Sequence, residues 1–267
     1  MKKLIFNLIK RMLIRFSGGK KYQNFFEEIY LMGINGMNYG YGGSIELSGE
    51  KEAMSYIKNK LNKRNPVIFD VGANIGKYSK ALNEVFDGHL ILYSFEPSVK
   101  TFNKLQETLA GYDKGHLNQF GFGAKREKLT LFTNEDYSGI ASVYNRRLEH
   151  FNINMDKTEA IEIQTIDEFC RENNIAEIDF LKLDIEGHEL SALKGADQMI
   201  RNRKIKFIQF EFGGCNIDSR TYFQDYWYLL NKNYIVYRIV KDGLCPINSY
   251  KETYELFSTI NYLAELR

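Results

Sequence analysis

The apolar and polar positions of this chain alternate between two periods, strand-like and helix-like, in regular succession. Val67, Ile68 and Phe69 run apolar into Asp70, and a turn follows through Gly72, Ala73, Asn74, Ile75 and Gly76. Tyr78, Ala81, Leu82, Val85 and Phe86 then recur at the i, i+3, i+4, i+7, i+8 spacing of a helix that faces a core. A buried strand, a tight turn and a helix predict the first half of a βαβ unit, with glycines where backbone approaches a ligand closely. Residues 89–97 (HLILYSFEP) read as a strand ending in an acid, and Val99, Phe102, Leu105 and Leu109 as the next helix. Residues 117–124 (LNQFGFGA) predict a third strand, KLTLFTN and ASVYN short extra strands, and IEIQTIDEFCREN a strand leading into a helix. Residues 178–189 (IDFLKLDIEGHE) predict a fourth core strand with its turn, followed by a helix lined by Leu190, Leu193, Ala196 and Ile200. IKFIQFEFG, a YFQDYWYLL helix, YIVYRIV and NYLAEL complete the series. This alternation predicts an α/β fold with a mostly parallel, doubly wound sheet.

The first 62 residues follow a different pattern. Residues 1–16 (MKKLIFNLIKRMLIRF) break their apolar runs with Lys10, Arg11 and Arg15, too often to span a bilayer. They predict a basic amphipathic helix, which suits an anionic membrane surface or packing against the domain or a second copy of the chain. Residues 33–50 are glycine-rich with Tyr39 and Tyr41 interleaved, which predicts no regular helix but a connector or a lid over a flat or sugar-like ligand. A helix over residues 51–61 follows. The expected division is an N-terminal segment over residues 1–62 and a catalytic domain over 63–267.

Composition narrows the partners. Lys plus Arg is 36 against 34 acids, a formal charge of +2, so no general field for nucleic acid exists. The distribution is uneven, because seven basic residues precede the first acid, Glu27. Cys170, Cys215 and Cys245 are widely spaced and form no CxxC pair, which argues for a reducing, cytoplasmic setting and against a disulfide framework or zinc site.

In open α/β sheets ligands sit beyond the carboxyl ends of the strands, which here carry Asp70, Glu96, Phe122 with Gly123, Asp184 with Glu186 and His188, and Glu211. An acid at Glu96 suits both hydroxyls of a ribose. The first turn reads D-V-G-A-N-I-G and lacks the G-x-G-x-x-G that brings pyrophosphate to a helix N-terminus. A carboxylate there repels pyrophosphate and favours a cationic ligand, which turns the reading from NAD to S-adenosyl-L-methionine. His188, beside carboxylates and near a helix N-terminus, is the first candidate general base and Asp184 the second. Glu186 and Glu211 are candidates for the acceptor or, with Asp184, for oxygen ligation of a divalent metal. Tyr39, Tyr41 and Trp227 are candidate stacking rings for a sugar face.

The ordered set FDVGANIGKYS, FEPS, NQFGFGAKREKLTLF, SGIAS, IQTIDEF and LKLDIEGHELSALKGA resembles the FkbM family of S-adenosylmethionine-dependent methyltransferases. The resemblance runs from about residue 66 to 211. It implies a class I, Rossmann-like, seven-stranded sheet with helices on both faces and an antiparallel last strand near NYLAEL. It also implies O-methylation, commonly of sugar or glycan hydroxyls or of natural products such as polyketides. By motif, Asp70, Gly72, Asn74 and Gly76 would hold the methionine part of the cofactor, Glu96 the ribose, and Phe122 and Gly123 the adenine. Ser142 and Asp184 would lie near the cofactor or the reacting centre. The third strand ends F-G-A, without the Asp or Asn that many methyltransferases place on the adenine amine. The rival readings are an NAD-dependent enzyme and a non-catalytic, membrane-associated scaffold.

Overall fold

A strand buried on both faces belongs inside a parallel sheet, and Ile178–Leu183 is buried at every residue. The computed structural model describes residues 2–42, 45–112 and 115–267; Gly43 and Ser44 of the glycine-rich segment lie outside the described residues, as does Met1. The first half of the chain runs α1 (Lys2–Ile14), α2 (Gln23–Gly36), α3 (Ile45–Ser48), α4 (Glu50–Leu61), β1 (Val67–Val71), α5 (Lys77–Val85), β2 (Ile91–Phe95), α6 (Val99–Thr108), β3 (Gly115–Asn118), β4 (Gly121–Phe122) and β5 (Glu127–Thr133). The second half runs β6 (Lys157–Gln164), α7 (Ile166–Glu172), β7 (Ile178–Leu183), α8 (Glu189–Lys194), α9 (Asp197–Arg201), β8 (Ile205–Phe212), α10 (Cys215–Ser219), α11 (Phe223–Leu230), β9 (Tyr234–Val240), β10 (Gly243–Ile247) and β11 (Ile260–Leu266).

The main sheet has the order β10-β9-β11-β8-β7-β1-β2-β3. Strands β3, β2, β1, β7 and β8 are parallel, and β11 enters antiparallel between β8 and β9. The expected antiparallel last strand is present, but the sheet has eight strands and not seven. The extra one, β10, is a hairpin partner of β9 at the sheet edge, where Pro246 can sit without disturbing a second ladder. A separate three-stranded sheet, β4-β6-β5, takes up the middle of the chain. The stretch expected as one third strand therefore divides, β3 joining the main sheet and β4 the small one. ASVYN contributes only an isolated bridge, Phe132 to Ser142.

Apolar residues fill both faces of the main sheet. On one face Phe69, Leu181, Ile208 and Phe210 pack under α7, α8 and α11, with Phe69, Phe95, Phe122 and Phe169 in mutual ring contact. On the other face Ile68, Phe180 and Phe207 pack with Met54 and Ile57 of α4 and with Leu82 of α5. Helix α4 thus belongs to the catalytic domain's core, and a boundary at residue 62 would cut through a packed unit. The segment expected to be irregular is in part helical: α2 continues through Gly33 to Gly36. Tyr39 is buried, its ring 5.2 Å from the Arg238 guanidinium and its hydroxyl 3.5 Å from that of Tyr262, so it is core and not lid. None of the described helices is long and apolar enough to cross a membrane. Truncating Ile57 to Ala, which leaves a cavity between α4 and the sheet, should cost about 2–4 kcal/mol in chemical denaturation.

Candidate functional site

Parallel register places side chains of neighbouring strands side by side on one face of the sheet. Asp70 of β1 is in register with Ser94 of β2 and with Lys182 of β7, and Lys182 in turn with Gln209 of β8. These four residues form a buried polar row that crosses four strands on the α4/α5 face, just inside the strands' carboxyl ends. The helices above supply partners. Ser79 of α5 donates to Asp70 Oδ2 at 2.6 Å and lies 2.8 Å from Ser94 Oγ. Tyr78 donates to Gln209 Oε1 at 2.8 Å, and Gln209 donates to Glu50 Oε1 of α4 at 2.7 Å. Lys182 Nζ stands 3.4 Å from Asp70 Oδ1, 3.2 Å from Asp184 Oδ2 and 4.7 Å from the centre of the Tyr78 ring. Burial works against its charge, but Asp184, Asp70 and Glu50 outweigh burial and hold the ammonium above its ordinary pKa.

Beyond this row opens a cleft of about 1320 Å³. Gly72, Asn74, Glu96, Phe122, Asp184, Glu186, His188 and Glu211 all line it, so most of the residues singled out in the sequence converge on one space. Others do not reach it. The Asp70 carboxyl lies beneath the turn, committed to Ser79 and Lys182, so the expected direct contact with a cationic ligand is replaced by a neutralised pair. Gly76, Gly123 and Ser142 stand behind the lining. Tyr39 and Trp227 are buried in the core, and Tyr41, though half exposed, is not part of the wall, so the expected stacking platform of these three rings is absent.

The turn's glycines serve the fold itself. Gly72, at φ +79°, passes so close to β7 that a Cβ would lie 1.9 Å from the Asp184 carbonyl oxygen. Gly76, at φ +87°, would set a Cβ 2.9 Å from Leu105 Cδ1 of α6. Glu96 clasps the two loops at the end of β1 and β2: Asn74 N donates to its Oε2 at 3.1 Å and Ser98 N to its Oε1 at 2.9 Å. Burial nevertheless raises its pKa to about 7. The Asn74 side chain donates to Ser138 O at 2.9 Å, which ties the turn to the connection between β5 and β6.

His188 departs from the expected near-neutral base. Its Nδ1 is 3.0 Å from the Tyr144 hydroxyl, its Nε2 is buried with no hydrogen-bond partner, and a Cβ on Gly123 would lie 2.9 Å from that Nε2. Burial pushes its pKa down to about 4, against the opposing charge of Glu127. The imidazole is thus neutral and set against the Phe122–Gly123 wall, away from the carboxylates at the ends of β7 and β8.

Those carboxylates are crowded. Glu211 is only 7% exposed, lines the cleft and has no hydrogen-bond partner among the described residues. Burial raises its pKa well above the usual carboxyl value, and Asp184 and Glu186 add to the shift. Burial and Asp184 push Glu186 up to about 8 although Arg146 pairs with it. Glu50 and Glu189 rise to about 7 by burial. Oxygens of Glu186 and Glu211 and the sulfur of Cys215 lie within 4.8 Å of one another, so Cys215 takes the place expected for Asp184 in a metal-ligand set. Burial keeps that thiol protonated, and Arg146 already balances Glu186.

Sequence reading passed over Glu50, Lys182, Arg146 and Gln209. The one available signal was Lys182 itself, a cation within an otherwise apolar strand. Two outcomes follow. Lys182→Met leaves Asp70 buried beside no cation and should cost about 3–5 kcal/mol in denaturant unfolding. Glu50, Glu96 and Glu189 bind protons more tightly folded than unfolded, so they stabilise the protein at low pH and lose that contribution as pH rises through about 7. His188 acts oppositely only between its folded value of about 4 and its ordinary 6.5. The melting temperature should therefore fall from pH 6.5 to 8, and a flat or rising profile would contradict these assignments.

The Methyltransferase FkbM domain matches residues 70–236, well over half of the chain. The 2-O-methyltransferase NoeI of Sinorhizobium fredii is 23% identical over 165 residues, which covers 58% of this chain and 67% of NoeI. Methyltransferase 1 of Beauveria bassiana is 24% identical over 145 residues, 49% of this chain and 58% of that protein. The crystal structure of an FkbM methyltransferase from Methylobacillus flagellatus shares 20% identity at a TM-score of 0.47, covering 74% of this chain and 43% of the other. The matched stretches span only part of these relatives' own length. This chain belongs to the FkbM family of methyltransferases.

Proposed function

We propose that the chain is an O-methyltransferase acting on a hydroxyl of a sugar or glycan. The observation that carries this reading is the lining of the cleft beyond β7 and β8, where Glu50, Asp184, Glu186 and Glu211 offer carboxyl oxygens around the Lys182 ammonium. Such a surface suits an acceptor with many hydroxyls better than a flat apolar one. The name of the relative NoeI, a 2-O-methyltransferase, supports transfer to oxygen.

The residues present fit the cofactor. Glu96 keeps lone pairs free for ribose hydroxyls beside the two backbone bonds it accepts. Phe122 and the neutral His188 flank the adenine side, with recognition of its amine left to backbone groups. When bound, S-adenosylmethionine supplies a methyl group on a positively charged sulfur, open to attack by an acceptor oxygen. Gly72 and Asn74 shape the turn around its amino-acid end, and Asp70 acts from beneath by fixing Lys182. Ser142 holds the loop over the site, its hydroxyl donating to Glu186 O at 2.7 Å.

A protonated hydroxyl is a poor nucleophile, so a proton acceptor is needed at the reacting oxygen. We assign it to Glu211, with Asp184 orienting the acceptor, because Glu211 lines the cleft and has no hydrogen-bond partner among the described residues. Burial first, with Asp184 and Glu186, raises its pKa well above the usual carboxyl value, so more of it is ionised and able to take a proton as pH rises. We set the reaction in the cytoplasm, in keeping with three free thiols, Cys170, Cys215 and Cys245.

Glu211→Gln should lower turnover roughly 10²–10⁴-fold while S-adenosylhomocysteine affinity, measured by calorimetry, stays the same. Turnover of the wild-type enzyme should climb as pH rises above the ordinary carboxyl range, and His188→Ala should keep that climb. A Glu211→Gln enzyme of full turnover beside an inactive His188→Ala enzyme would return the base to His188. Labelled methyl should appear in an alkali-stable ether on an oligosaccharide; label found only on a polyketide hydroxyl would refute the acceptor class.

A further inference from the structure

The N-terminal arm is not used by this chemistry. Helix α1 leaves Leu4 75%, Leu8 62% and Met12 56% exposed, and Ile9 is exposed on the same side. At about 100° per residue these four fall within one face of the helix, whereas Lys10 projects from the opposite side and Arg11 borders the stripe beside Leu4. Arg15, Lys20 and Lys21 follow in the next turns, all exposed, and no acid occurs before Glu27. An apolar stripe of this size, bordered by cations and covered by none of the described residues, marks an interaction surface.

We propose that α1 and the basic turn after it dock on an anionic phospholipid surface. The charge pattern selects this partner over a second copy of the chain. A two-fold contact brings the same patch of each subunit together and would set these cations against their own copies with no carboxylate to relieve them. An anionic leaflet offers the missing charge, and the apolar face can sink to the headgroup boundary. A helix of 13 residues is about 20 Å long, short of the hydrocarbon core's thickness, so it lies along the surface. Docking would hold the cleft near the membrane without contributing a residue to it, and the inference is independent of the acceptor assigned above.

The test is co-sedimentation of the full chain with phosphatidylcholine vesicles that contain or lack phosphatidylglycerol, at low and high salt. Binding should require phosphatidylglycerol and weaken with salt. The K10Q/R11Q/R15Q variant should bind roughly 100-fold more weakly, and L8D/M12D should not bind at all. Both variants should keep the wild-type melting temperature and S-adenosylhomocysteine affinity, which separates lost docking from lost fold or lost cofactor site. No binding by the wild-type chain, equal binding to both vesicle types, or a dimer in light scattering that L8D/M12D dissolves would each overturn the proposal.

Discussion

A fully buried ammonium is the constraint around which this domain is arranged. Removing the Lys182 charge from water costs several kcal/mol, returned only if anions and polar groups are brought to it. Asp70 and Asp184 bring the charge, and Tyr78 brings a ring face. Once they are present, Ser79, Ser94, Gln209 and Glu50 must complete the remaining hydrogen bonds, because a half-satisfied buried network is worse than none. This is why two faces of one sheet are held differently. Helices α7, α8 and α11 are fixed by aromatic and aliphatic packing, whereas α4 and α5 are fixed by packing at the amino end of the strands and by polar pairs at the carboxyl end.

The same row explains how the site acquires its chemistry. On the α4/α5 face successive positions run apolar, then polar, then open to the cleft: Ile68 before Asp70, Phe180 before Lys182 and Asp184, Phe207 before Gln209 and Glu211. The dielectric rises along the strands, and carboxyl groups at the boundary feel both burial and each other. The raised proton affinity of Glu211 follows from that position.

Much of this was legible in the chain. Strand, turn and helix periods gave the parallel half of the sheet, and acids at strand ends gave Glu96, Asp184 and Glu211 as neighbours in space. What failed did so for local reasons. Glycines suggested an irregular lid, yet Gly33 and Gly36 sit in helix α2, where neighbouring turns tolerate them. Gly72 suggested close approach to a ligand, and its close approach is to Asp184 of its own chain. Asp70 suggested an open anion, and only the register of β1 against β7 reveals that Lys182 cancels it. His188 suggested a base beside carboxylates, but the turn into α8 swings the imidazole toward Gly123. Pairing register and side-chain direction across distant segments leave no trace in a linear pattern.

The connection between β5 and β6 reaches the rest of the domain through Asp136 to Lys100, Ser138 to Asn74, Ser142 and Arg146 to Glu186, Tyr144 to His188, and Arg146 and Arg147 to Asp218. All of these partners but Asp218 are cleft residues, and none belongs to the Asp70–Lys182 row beneath. Insertions and substitutions within this connection therefore reshape the mouth of the cleft while the charge balance in the sheet stays as it is. What the cleft admits can thus be edited in one loop, with the costly buried ammonium left alone.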